Sequence, residues 1–243
     1  MKKTCISLLF MISIIFFTPS VFSQTVTDID GNSYDFLTYG NQVWTVENAE
    51  MERYQDGTPI PQVSDAAKWE NLTTGAWCYY NFDPSKGKLY NWYAVMGIHD
   101  NDENTPNKLL APKGWHVPSL IEWETLQNHL IADGNNYDGT TTNNKIAKAM
   151  ASTNEWISSS NVGSPGNAQS ANNGSGFNAL PTGWRSSTCD FKYGGKEADF
   201  WTTTELNNYP KNANQIQLLY IDNNVWNSNG RKNEGASVRF IKD

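Results

Sequence analysis

The sequence predicts an α+β domain. Three observations carry that expectation. Short strand-like runs punctuated by Asp-Gly and Gly-Asn turns open the chain after its first two dozen residues. A capped amphipathic helix begins at Ser119, and apolar strand-like runs return in the last third and continue almost to Asp243.

Ahead of the domain, Met1-Lys2-Lys3 gives a short positive start, and Ile6 to Phe17 is an apolar run broken only by Ser7 and Ser13. Pro19 and Ser20 interrupt it, and Val21-Phe22-Ser23 sets modest residues before Gln24. This is the layout of a secretory signal peptide over residues 1–23. A membrane-spanning helix needs about 20 apolar residues, so no membrane insertion is expected. Cys5 precedes the apolar run and does not fit the lipid-bearing cysteine of a cleaved lipoprotein. The expected location is therefore secreted, cell-surface or periplasmic, with 24–243 as a single domain.

The elements follow in order. Strands are expected at Thr25 to Ile29 and Ser33 to Tyr39 around the Asp30-Gly31 turn. Another runs from Gln42 to Glu47 after Gly40-Asn41. Residues 50–75, scattered with Pro, Gly, Asp and Thr, read as surface loop. Trp77 to Asn81 is strand-like. Leu89 to Met96 is apolar all round, hence buried as helix or strand. Ser119-Leu120-Ile121-Glu122 is a capping box, and Leu120, Trp123, Leu126 and Leu130 share the face of the helix it starts. Asp133-Gly134 ends that helix. A second, weaker helix spans roughly Asn144 to Ala151 with Ile146, Ala149 and Met150 inward. Residues 152–176 form a long polar loop. Strands close the chain near Phe177 to Leu180, Phe200 to Thr204, Gln215 to Ile221 and Ala236 to Ile241. An apolar C-terminal strand needs a partner, and Val26 to Ile29 is the expected one.

Charge narrows the partners. The chain holds 18 basic and 25 acidic residues, and losing Lys2 and Lys3 takes its formal charge from −7 to −9. With no basic run, it lacks the electrostatic footprint of a nucleic-acid binder. Two cysteines remain after the leader, Cys78 and Cys189. In an oxidising compartment such a pair commonly forms a disulfide; the alternative is two small buried hydrophobes.

One ordered series of motifs then stands out. It begins with Thr27-Asp28-Ile29-Asp30-Gly31-Asn32, Gln42 to Asn48 (QVWTVEN) and Leu89 to Val95 (LYNWYAV). It continues with Pro112 to Ser119 (PKGWHVPS), Glu122-Trp123, Ser175 to Pro181 (SGFNALP), Gly183-Trp184-Arg185, Trp201 to Glu205 (WTTTE) and Ser237-Val238-Arg239. The chain resembles the Fibrobacter succinogenes major paralogous domain, a module of secreted proteins in Bacteroidetes and Fibrobacteres. The resemblance implies a C-type lectin-like fold, distantly related to formylglycine-generating sulfatase-modifying enzymes, with N- and C-terminal strands paired and two helices. It implies no common activity. Relatives often carry cysteines where this chain has Ala111 and Phe240, so that cross-link is absent here.

Catalytic signatures are not found. His99, His116 and His129 have no metal-pair spacing, and no Cys-x-x-Cys, nucleophile elbow or phosphate loop occurs. The reactive cysteine pair of the sulfatase-modifying relatives is missing. No catalytic residue and no cofactor is assigned. Calcium is the one ion considered, on Asp100 to Asn104 and Asp133 to Asp138, although both loops break the ligand spacing. Trp156, Tyr209 and Trp226, beside Asn/Ser-rich loops, are the candidate recognition aromatics. The expected function is a secreted non-catalytic binding or adhesion module with an extracellular glycan or protein ligand. The alternatives are an enzyme related to the sulfatase-modifying family and a structural cell-surface or matrix component.

Overall fold

The computed structural model describes residues 24–243, so the expected signal segment, 1–23, lies outside the described residues. In chain order the elements are β1 (Thr25–Thr27), β2 (Ser33–Tyr39), β3 (Gln42–Thr45), α1 (Ala66–Glu70), β4 (Trp77–Tyr79), β5 (Lys88–Tyr90), α2 (Trp92–Val95) and β6 (Trp115–His116). Then come α3 (Leu120–Ala132), α4 (Ala147–Met150), β7 (Trp184–Arg185), β8 (Phe191–Lys192), β9 (Glu197–Glu205), β10 (Asn212–Leu219), β11 (Val225–Arg231) and β12 (Ile241–Lys242). The α+β expectation holds, with strands predominating. No helix among the described residues is long and apolar enough to cross a membrane.

Local chemistry explains the first hairpins. The Asp28 carboxylate accepts from the Asp30 and Asn32 N–H groups at 2.9 and 3.0 Å and from the Tyr34 hydroxyl at 2.6 Å, which fixes the turn before β2. Gly40 and Asn41 form a two-residue turn between β2 and β3, with Tyr39 opposite Gln42. Gly40 takes a positive φ of 62° there, as a tight hairpin of this length requires.

A five-stranded sheet has the order β1-β2-β3-β12-β6, and a three-stranded sheet the order β11-β10-β9. The expected pairing of the two terminal strands is corrected. Both ends share one sheet, but β12 lies between β3 and β6, with Ile241 opposite Trp44 on one side and His116 on the other. β1 pairs only with β2. The two-residue Gly-Asn turn brings β3 back beside β2, and the buried Trp44 side of β3 then receives the C-terminal strand.

Two helices were expected, and four α-helices are present among the described residues. α1 lies inside the segment read as loop: Asp65 caps it by accepting from the Lys68 N–H at 2.8 Å, and Trp69 buries its apolar side. Leu89 to Met96 divides into β5 and α2. Asn91 makes the break, its side chain accepting from the Ala76 and Ala94 N–H groups at 3.0 and 2.9 Å. α3 carries the expected capping box and buries Trp123, Leu126 and Leu130. α4 is shorter than expected and turns Ala147 inward with Met150, while Ala149 is half-buried. Phe177 to Leu180 is not a strand and contributes one bridge, Ala179 to Ala151.

Two aromatic cores fill the domain. One gathers Tyr90, Trp92, Trp115, Trp201 and Phe240. The other is built on Trp44, Trp123, Phe177 and Phe200, with the Trp44 and Trp123 ring centroids 4.8 Å apart. Strand alternation sorts neighbours between them. Phe240 faces the first core and Ile241 the second, as do Trp201 and Phe200 on β9. Ala111 and Phe240 both lie in the first core.

Candidate functional site

A cleft of about 630 Å³ opens where several loops meet. Its walls come from Val46 to Asn48 after β3, Tyr80 and Lys86 between β4 and β5, Asn178 to Thr182 ahead of β7, and the Gly194-Gly195 turn after β8, with Arg239 also lining it. These loops are far apart in sequence and are held by side chains reaching between them.

Arg239 is the central tie. It is fully buried, yet no carboxylate is bonded to it. Its Nε donates to Asn48 Oδ1 at 2.7 Å, and its terminal nitrogens donate to the Thr45, Val46, Phe177 and Asn178 carbonyls. Its Cζ also lies 4.6 Å from the Phe177 ring centroid. Burial pushes the guanidinium pKa down. Five oxygen acceptors nevertheless keep it a cation, because a guanidinium has five N–H donors in a fixed fork.

Other ties shape the rim. The Tyr80 hydroxyl accepts from the Gly194 N–H at 3.0 Å. A Cβ on Gly194 would meet that hydroxyl at 2.6 Å, so only glycine lets the ring lie against this turn. Lys88 is buried beside Glu50, its ammonium donating to the Glu50 carbonyl at 2.7 Å and lying 4.8 Å from the Trp77 ring centroid. Burial raises the Glu50 pKa and Lys88 opposes that shift; burial also raises Glu47. Across the mouth, Lys86 pairs with Glu155 at 3.3 Å. The cleft therefore offers carboxylate acceptors, one half-exposed ammonium and an aromatic ring to a polar ligand. The Ser85 hydroxyl is tied to Asp83 Oδ1 at 2.8 Å.

The residues expected to carry recognition separate. Tyr209 is 63% exposed in the turn between β9 and β10, and Trp226 is 44% exposed on β11. Neither lines the loop cleft. Trp156 is a correction: it is only 4% exposed and packs in the second core. The polar loop after it folds back, Gln169 accepting from the Trp156 N–H at 3.2 Å and donating to its carbonyl at 2.7 Å. The ring is thereby turned inward, and its Nε1 donates to Ser152 Oγ at 3.1 Å.

Cys78 and Cys189, expected as a disulfide, are both free thiols. They belong to one small cluster with Trp69 and Leu89, but Cys189 Sγ is turned to donate to the Ala66 carbonyl at 2.7 Å. Burial pushes the Cys78 thiol up to about 11, against thiolate chemistry there. His116 stands elsewhere, between Glu122 Oε1 at 2.8 Å and Asp243 Oδ1 at 2.7 Å. His99 faces Asp100, and His129 lies in the last turn of α3 against Gly40.

Among the described residues, no three or more His, Cys, Asp or Glu side chains are grouped to hold a metal ion. In the two loops considered for calcium, the carboxylates serve the chain. Asp100 and Asp102 accept from the N–H groups two residues on, at 3.0 Å each. Asp138 pairs with Lys145 at 2.6 Å.

The cleft residues sequence reasoning missed as a site, Glu47, Asn178 and Arg239, all lie inside the quoted motifs. The motifs signal a family, and nothing in their spacing signals that they converge.

No curated protein and no solved structure matches the chain. A family model does: the Fibrobacter succinogenes major domain, over residues 37–242. That match takes in every wall of the loop cleft, all of the second core and the first core except Val26, Tyr34 and Phe36, and the chain belongs to the Fibrobacter succinogenes major domain family.

Proposed function

We propose that this chain is an exported, non-catalytic binding or adhesion module of C-type lectin-like fold, which presents the loop cleft to an extracellular glycan or protein. The single observation that carries the reading is the cleft's construction. Separate loops are fixed by Arg239 and Tyr80 on a rigid double core, which is how recognition surfaces are built. Export rests on the tripartite pattern of residues 1–23. The enzyme alternative needs a pocket where Cys189, His116 or paired carboxylates converge; Cys189 donates to the Ala66 carbonyl, and His116 lies between Glu122 and Asp243, outside the loop cleft.

A glycan-array and cell-surface-protein screen, run with and without calcium, tests the reading. Binding should be saturable, should survive chelation, and should fall at least tenfold in Lys86→Glu or Gly195→Trp. Retained binding in both variants, or turnover of any bound ligand, sinks the proposal.

A further inference from the structure

A second pocket, of about 390 Å³, sits on the face of the β9–β10–β11 sheet turned away from the second core. It shares no lining residue with the loop cleft and stands independently of the reading given to that cleft. We propose that this pocket binds a sugar carrying a free amino group, whose ammonium rests against Asp199.

Strand register places the groups. Ala198 and Phe200 point into the second core, so Glu197 and Asp199 point the other way. On β10, Ile216 and Leu218 take the core and leave Gln215 and Gln217 on the pocket face. Asp199 stands opposite Gln217, whose amide donates to Asp199 Oδ1 at 2.9 Å and to Glu197 Oε2 at 3.3 Å. One oxygen is left over. Asp199 is 2% exposed, and its Oδ2 has no hydrogen-bond partner although the residue lines the pocket. A buried carboxylate oxygen without a partner destabilises the empty protein. A donor brought by a ligand would satisfy it.

The lining specifies the donor. Glu197, Asp199 and Glu234 are opposed by one basic residue, Arg231, so the pocket favours a cation. Burial and the neighbouring Glu197 raise the Asp199 carboxyl above its ordinary range, and burial raises Glu234 to about 7. A positive ligand offsets that desolvation. A bare metal ion is disfavoured, since no three acidic side chains among the described residues are grouped for one. A guanidinium prefers a two-oxygen fork, and Asp199 leaves only one oxygen open. An ammonium needs a single strong acceptor and has further donors for neighbouring oxygens.

The rim specifies the body. Trp184 and Tyr193 form an aromatic edge with ring centroids 6.2 Å apart, and the Trp184 indole is anchored to Glu197 at 3.0 Å. Aromatic faces of this kind stack on sugar rings and attract cations. Opposite them, the amides of Asn212 and Asn229, bonded to each other at 2.9 Å, can exchange that bond for sugar hydroxyls. Gly230 keeps the floor open. Its φ is not in the left-handed region, yet a Cβ there would meet Glu234 Oε2 at 2.5 Å and Gln215 Nε2 at 2.7 Å.

Calorimetric titration of the protein at pH 7 with glucosamine, N-acetylglucosamine, n-butylamine and calcium chloride tests the assignment. Glucosamine should saturate one site, with N-acetylglucosamine and n-butylamine at least tenfold weaker. Asp199→Asn should weaken glucosamine at least tenfold while melting no lower than the parent, since asparagine keeps the acceptor for Gln217 and cannot ionise. Tyr193→Asn, at an exposed position with a φ of 59° that asparagine tolerates, should also weaken it and keep the fold. Absence of glucosamine binding, equal affinity for the acetylated sugar or the alkylamine, or unchanged affinity in both variants overturns the proposal. Calcium binding that is lost in Asp199→Asn overturns it in favour of a metal site.

Discussion

Trp123 touches three other rings: Trp44 at 4.8 Å, Phe177 at 5.5 Å and Phe200 at 5.4 Å between centroids. Replacing it with alanine removes the hub of the second core and should cost about 3–5 kcal/mol, read from denaturant unfolding. An unchanged unfolding midpoint would mean that the core closes without it. Its place was legible because Leu120, Leu126 and Leu130 repeat around it at helical spacing. Trp156 had no such pattern: it stands among Asn, Glu and Ser, and its burial depends on Gln169, thirteen residues away, bridging its backbone. Asp199 was equally silent. Its place opposite Gln217 is a fact of pairing, which no local run of residues records.

At the scale of elements, the start of α3 joins structure to pH. Glu122 closes the capping box by accepting from the Ser119 N–H at 2.7 Å and also accepts from His116. Partial burial pulls the His116 pKa down, but the hydrogen bonds to Asp243 and Glu122 outweigh it and raise the pKa above 6.5. A raised histidine stabilises the fold fully below its unfolded value, and the gain is lost as pH rises through the folded value. The site is half-exposed, so solvent screening limits the effect to about 1 kcal/mol. His116→Gln should therefore melt on the order of 2 °C below the parent at pH 5.5, with the difference closing by pH 9. A gap that is equal at both pH values would refute the ion-pair account. Elements with a complete local signal were legible: the Asp-Gly and Gly-Asn hairpins and the capping box. β6, β7, β8 and β12 are two residues each and too short to show a period. β11, with the polar sequence VWNSNGR, owes its strand to seven paired positions on β10. Of the walls of the loop cleft, Val46 to Asn48, Asn178 to Pro181 and Arg239 were legible as motifs, whereas Tyr80, Lys86 and the Gly194-Gly195 turn lie outside them; their meeting is tertiary.

For the whole molecule, the segment 238–241 is buried and structural. Val238, Arg239 and Phe240 are fully buried, and β12 bridges β3 to β6. Deleting Val238 to Asp243 should abolish cooperative unfolding by near-ultraviolet circular dichroism. A truncated protein with the parent's melting curve would show that the sheet closes without its fourth strand. The expectation of paired termini located the right sheet and the wrong neighbour, because apolar character shows that a strand needs company and is silent on which edge is vacant.

That sheet order sets when the domain can form. β3 and β6 are separated by sixty-nine residues of chain, and the strand that joins them is the last of the twelve among the described residues. A chain emerging from a ribosome, or threading through a pore with its N-terminus first, carries a gap at the middle of its main sheet until residue 241 arrives. Closure by so distant a contact is slow. The topology thus acts as a timer: the main sheet stays open at its middle until its last strand in chain order has been made.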